Sequence, residues 1–113
     1  DVMLLMRLWL AWIALSLRTA ASLAEIRTGL TLVIQNPGGT SYSIFASSPL
    51  DVAGKSGTAE DIAFGANHVF FVAYANRSAP SALALVALEE GELSSTEAGP
   101  KARQSLEAAL LGS

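Results

Sequence analysis

Asn36-Pro37-Gly38-Gly39 divides this chain into two parts that fold by different rules. Pro37 carries no amide hydrogen and disfavours helix in the residue before it, and two glycines follow, so a regular element must end here. On the N-terminal side apolar residues recur at helical spacing. Leu23, Ile26, Leu30, Val33 and Ile34 lie three and four apart, which makes one buried stripe on a helix over 23–34. Ser22 supplies an N-cap, and Glu25, three residues on, is its partner in a capping box.

The C-terminal side reads as strands closed by a helix. Residues 40–51 form a Ser-rich loop in which Tyr42 and Phe45 are anchors against a core. Val52 to Ala59 is a short run flanked by turn formers, and His68 to Ala75 is rich in Val and aromatic residues. Ala82 to Leu88 is continuously apolar, a pattern that strand and buried helix share, so periodicity alone leaves it open. Glu60 to Asn67 and the turn formers Asn76, Ser78 and Pro80 make connections short enough for antiparallel hairpins. Residues 96–111 place Ala102, Leu106, Ala109 and Leu110 on one helical face, with Pro100 near the first turn. The expected fold class is α+β: a three-stranded antiparallel sheet from 52–59, 68–75 and 82–88, with the helices at 23–34 and 96–111 on one face.

Composition narrows the function. A length of 113 residues, 51% hydrophobic and 15% charged, allows one small ordered domain. The net charge of -3 comes without a basic cluster, which removes the footprint of a nucleic-acid binder. With no Cys and one His, neither a thiol nucleophile nor a Cys- or His-rich metal site can be built, and no cofactor is implied. Residues 2–17 are apolar apart from Arg7 and Ser16, a run shorter than the about 20 residues a bilayer core requires. Three readings of it stand side by side: a signal peptide starting at Met6 with Leu8 to Leu17 as its core, a buried or membrane-contacting helix, and a segment foreign to the rest of the chain.

Most chemistry-bearing patterns fail on their own terms. Gly54-Lys55-Ser56 would be a phosphate loop only with a glycine where Pro49 stands. His68 lies in an aromatic run with no serine elbow nearby, so a strand-end histidine is the better account of it. Glu89, Glu90 and Glu92 cluster at a strand end, as a solvated turn does. What remains is Lys55-Ser56-Gly57-Thr58. A cation and two hydroxyls can bind a carboxylate, and Gly57 lets a ligand backbone approach the strand. Alternation sends Ser56 and Thr58 to one face and Lys55 to the other.

The surroundings of that tetrapeptide resemble the end of the transpeptidase domain of penicillin-binding proteins, in particular class B enzymes of the elongation type. Val52-Ala53-Gly54-Lys55-Ser56-Gly57-Thr58-Ala59 is similar to the family's V-A-G-K-T-G-T-A. Upstream, Gly29-Leu30, Val33-Ile34 and Gly39-Thr40-Ser41 are similar to its Gly-Met/Leu pair, V-V and G-T-A loop. Downstream, Asn67 to Asn76 is similar to D-H-A-W-F-V-G-Y-A-P, with Asn67, Ala73 and Asn76 departing from its Asp, Gly and Pro. Leu83 to Gly91 and Ala98 to Arg103 are similar to an apolar strand ending in V-E-x-G and to A-A-P-I-A-R. The blocks keep family order over about residues 23–111.

The resemblance implies D,D-transpeptidation in peptidoglycan synthesis, with a stem peptide or a beta-lactam as partner, on the extracytoplasmic face of the bacterial cytoplasmic membrane. It implies that Lys55 supplies positive charge beside a proton relay, that the Ser56 and Thr58 hydroxyls bind the terminal carboxylate, and that the Thr58 amide is half of an oxyanion hole. The family's nucleophile motif Ser-x-x-Lys and its Ser-x-Asn motif match no serine of this sequence. The expectation is therefore a partial transpeptidase domain over 23–113, inactive alone, behind a foreign segment over 1–22. Its sheet would lack part of its cover, with residues 2–17 the one candidate to replace it. Two rivals stay open: a small secreted or membrane-associated structural or interaction protein without catalysis, and a serine hydrolase using His68.

Overall fold

The computed structural model describes residues 1–61, 63 and 65–112, with residues 15–18, 61 and 66 described by backbone alone. Its elements run α1 (Val2–Gln35), α2 (Tyr42–Phe45), β1 (Val52–Asp61), β2 (Ala66–Ala75), β3 (Ala82–Gly91) and α3 (Ser94–Leu111). The sheet is antiparallel in the order β1-β2-β3. The α+β class and all three expected strands are therefore present, the third as strand and not helix.

The strands run two or three residues beyond the expected limits. Glu60 pairs with Asn67 and Asp61 with Ala66, while β3 continues through Glu89 and Glu90. The Glu60, Glu89 and Glu90 side chains are exposed, so their carboxylates stay hydrated while the backbones pair, and charge does not stop the ladder. Residues 62 and 64 of the first connection lie outside the described residues. Between β2 and β3 the turn closes when the Ser81 amide donates to the Ala75 carbonyl at 2.8 Å. Arg77 after β2 donates to the Asp51 carboxylate before β1, pinning both strands at that end.

Alternation along β2 sorts the sheet into two faces. Val69, Phe71, Ala73 and Ala75 are buried, whereas Phe70 is exposed and Val72 and Tyr74 are half-buried. α3 covers the first face with Ala98, Gly99, Ala102 and Leu106. Phe71 stacks on Phe45 of α2, ring centroids 5.8 Å apart, and both belong to one core with Ile34, Val52 and Leu106. A side chain at Gly99 would meet Ile44 Cδ1 at 2.8 Å, so glycine there sets how closely α3 approaches α2.

Several expectations about the helices are overturned. The helix expected over 23–34 is the end of the 34-residue α1, because nothing between Arg18 and Ser22 breaks a helix. Ser22 is thus mid-helix and caps nothing. The two main helices share a face only through Ile34, at the end of α1, which joins the core beneath α3. Leu23, Ile26 and Leu30 of α1 border a groove with Tyr74 and Leu83, whose strand positions point away from Phe71 and α3. α3 begins at Ser94, which puts Pro100 inside it, and Ala109 on its expected apolar face is exposed. Residues 2–14 do not cover the open sheet face: Leu83 and Leu85 are each 65% exposed, and the large apolar side chains from Val2 to Trp12 are themselves more than half exposed.

Candidate functional site

The break at Asn36 builds the site. The Asn36 amide bonds to the Leu32 carbonyl, and the Ser41 amide reaches back to the Val33 carbonyl at 3.1 Å, folding residues 36–41 against the end of α1. That return depends on Gly39, where a side chain would collide with the Leu32 and Val33 carbonyl oxygens. Gln35 Nε2 donates to the Val52 carbonyl at 2.9 Å and fixes the start of β1 beside the helix terminus. The result is a hollow of about 380 Å³ bordered by Gly29, Leu32, Val33, Asn36, Gly38, Gly39, Thr40 and Lys55.

All four residues of the Lys55–Thr58 tetrapeptide lie on β1, an edge strand whose outer side pairs with no other strand among the described residues. Lys55 is mid-strand, not in a loop before a helix, which agrees with the rejection of a phosphate loop. The register sets Lys55 opposite Val72, Ser56 opposite Phe71, Gly57 opposite Phe70 and Thr58 opposite Val69. Ser56 and Thr58 therefore share the face of the core, and Lys55 and Gly57 the opposite one. Lys55 and Thr58 are exposed, Ser56 and Gly57 half-buried. The Lys55 ammonium donates to the Ser56 carbonyl at 2.8 Å. It stands beside the carbonyl end of α1, where the helix dipole favours a cation.

The two glycines of this strand differ in what the fold demands of them. A side chain at Gly54 would collide with the Val72 carbonyl oxygen and lie 3.0 Å from Ile34 Cδ1. At Gly57 it would meet nothing closer than Phe70 Cβ at 4.0 Å, ordinary contact. Packing explains the first glycine and not the second. What the arrangement offers chemically is a cation and two hydroxyls distributed about one open strand edge, with room at Gly57 for an extended backbone to lie alongside.

Gln35 joins this neighbourhood without having been singled out in the sequence, and Asn36 and Thr40, named there for the break and for the G-T-A likeness, prove to border the hollow beside Lys55. Their signal was the Asn-Pro-Gly-Gly break, which locates a turn but not what the turn packs against. His68 sits elsewhere, at the register shift between β2 and β3, half-buried and opposite Ala59. Among the described residues no group of three or more His, Asp or Glu side chains is placed to hold a metal.

Three comparisons with known proteins bear on this geometry. Curated protein sequences yield no match. Among solved structures, that of Pseudomonas aeruginosa PBP2 in complex with WCK 5153 is similar, with a TM-score of 0.73 and 33% sequence identity over 80% of this chain. The chain spans 20% of the length of that protein. The penicillin binding protein transpeptidase domain matches residues 19–111, which takes in the end of α1, the whole sheet and α3. A match of that extent, with the same fold in the solved structure, makes the chain a member of the penicillin binding protein transpeptidase domain family.

Proposed function

We propose that the chain is a C-terminal portion of the transpeptidase domain of a class B, elongation-type peptidoglycan D,D-transpeptidase, and that it carries the substrate-binding strand of that enzyme. A stem peptide, or the beta-lactam that imitates it, lies along β1 as an added strand. The Ser56 and Thr58 hydroxyls bind its terminal carboxylate, Lys55 adds positive charge, and the Thr58 amide donates to the oxyanion that forms at the scissile carbonyl. Gly57 leaves the edge open for the peptide backbone. The parent enzyme acts on the extracytoplasmic side of the bacterial cytoplasmic membrane, in the periplasm of an envelope that has one.

The observation that carries this reading is Gly57, a glycine that the packing of the fold does not require, between two hydroxyl residues on an edge strand. Acyl transfer additionally needs a serine activated by a neighbouring base. These 113 residues hold no Ser-x-x-Lys and no Ser-x-Asn. The chain by itself therefore binds without turning over.

Amide chemical shifts test this during titration with a peptide ending in D-Ala-D-Ala. Saturable shifts at Lys55 to Thr58 are expected. Their absence at the highest soluble peptide concentration, or shifts confined to another surface, removes the proposal. A fluorescent penicillin is expected to leave no covalent band on a denaturing gel. A labelled band would identify an unexpected nucleophile, and Ser43, which is exposed on α2, would be the one to examine before β1. Ser41, which precedes α2, is fully buried, which removes it from reach of an acylating agent.

A further inference from the structure

The first half of α1 is apolar on every side. Val2, Leu5, Trp9 and Trp12 are 72%, 66%, 64% and 66% exposed, and successive residues step round the whole circumference of a helix. Arg7 is the one charged side chain from Val2 to Leu17. None of the apolar window of this helix is buried against the rest of the protein, and by length and composition α1 is able to cross a membrane. A groove on a partner protein, a second copy of the chain or the open sheet face would each cover one side of such a helix and leave the others in water. A bilayer surrounds it. A helix that lies in the membrane surface has a polar face opposite its apolar one, and this segment has none. Its backbone bonds are satisfied within the helix, as a hydrocarbon environment demands.

We propose that residues 2–17 insert into a lipid bilayer and hold the sheet and α3 at the membrane surface. The segment is shorter than the hydrocarbon core, a mismatch met by local thinning of the bilayer, and the Arg7 stem lies in the apolar layer with its guanidinium extended toward the headgroups. This inference is independent of the Lys55–Thr58 site.

The two tryptophans of the chain, Trp9 and Trp12, both lie in this segment, so their emission reports on it directly. With the full chain and phosphatidylcholine vesicles, the emission is expected to move to shorter wavelength. Lipids brominated along their acyl chains are expected to quench it, and binding is expected to survive high salt. Leu10→Asp is expected to lower vesicle partitioning about a hundredfold, since a carboxylate in mid-segment is strongly disfavoured in hydrocarbon. Circular dichroism of the variant would keep the β signal, because this segment is not packed on the sheet. Three results would each overturn the proposal. One is emission unchanged by vesicles. Another is binding lost at high salt, which would mean arginine attraction to headgroups. The last is a lipid-independent shift that grows with protein concentration, which would make a second copy the cover.

Discussion

Gly54 and Gly57 stand three positions apart on the same strand and respond oppositely to one added methyl group. At Gly54 the group has no free volume, and Gly54→Ala should destabilise the protein by about 1–3 kcal/mol in chemical denaturation, the usual range for overpacking. Gly57→Ala should stay within about 0.5 kcal/mol of the parent yet weaken the response of Lys55 to Thr58 to a D-Ala-D-Ala peptide. If Gly57→Ala destabilises as much as Gly54→Ala, the glycine is structural and its role in ligand approach falls. A second residue-scale device lies under the loop before β1. Arg103 donates to Glu107 at 2.8 Å, to the Ile44 carbonyl at 2.8 Å and to Ser47 at 3.0 Å, while Ser48 donates to Glu107 at 2.8 Å. The Arg103 hydrogen bond, then that of Ser48, holds the Glu107 carboxyl below its ordinary value of 4.5. A carboxylate depressed in the folded state adds stability that is fully present above the ordinary value and disappears as pH falls through the lower folded one. Glu107→Gln should therefore flatten the acid limb of the stability profile. A parallel profile for variant and parent would show that the pair contributes nothing to it.

At the scale of elements, α3 is the part whose removal would undo the sheet, because it covers the face that carries Phe71. Leu106 is buried to 1% exposure, and Leu106→Ala should cost about 2–5 kcal/mol and broaden the amide resonances of β2 and β3 together. Resonances that broaden in α3 alone would mean that the sheet stands without it. The second strand was legible in the sequence, since a run of Val, Phe and Tyr bounded by Asn and Ser permits little else, whereas the continuously apolar Ala82 to Leu88 fitted strand and buried helix alike and is settled by its pairing with β2. Strand ends were not legible, because Glu60, Asp61, Glu89 and Glu90 look like loop residues until their backbones are seen to pair. The long α1 escaped notice for the converse reason: Ser22 looks like a cap, but with Ala20, Ala21 and Ala24 around it the helix has no cause to stop. Lys55 to Thr58 could be read from their order in the chain, which is local. The hollow beside Lys55 could not, because it depends on residues 36–41 folding back onto α1, and no local pattern encodes that return. Pro100 misled in a further way. A proline normally marks a first turn, yet here the N-terminal turn is held from outside, with the Glu92 amide bonded to Glu97 Oε1 at 3.1 Å.

At the scale of the whole molecule the sheet has one covered face and one open face. Phe70, Leu83 and Leu85 are exposed on the second, with Tyr74 beside them at the groove along α1. Contiguous apolar surface of this kind on a soluble monomer marks a place where something else packs. Burying apolar surface stabilises by roughly 25 cal/mol per Å², so a few hundred square ångströms left in water forfeits several kcal/mol, a large share of what a small domain has. The full chain should accordingly bind a hydrophobic dye and unfold over a broad range of temperature. The double substitution Leu83→Lys with Leu85→Glu separates exposure from instability. Because both side chains are 65% exposed and turned away from α3, replacing them should change the unfolding free energy by no more than about 1 kcal/mol. Dye binding and aggregation should both fall. A loss of several kcal/mol would instead mean that the face is covered in solution, and sedimentation of the parent chain as a monomer or a dimer would then tell whether α1 or a second copy lies on it.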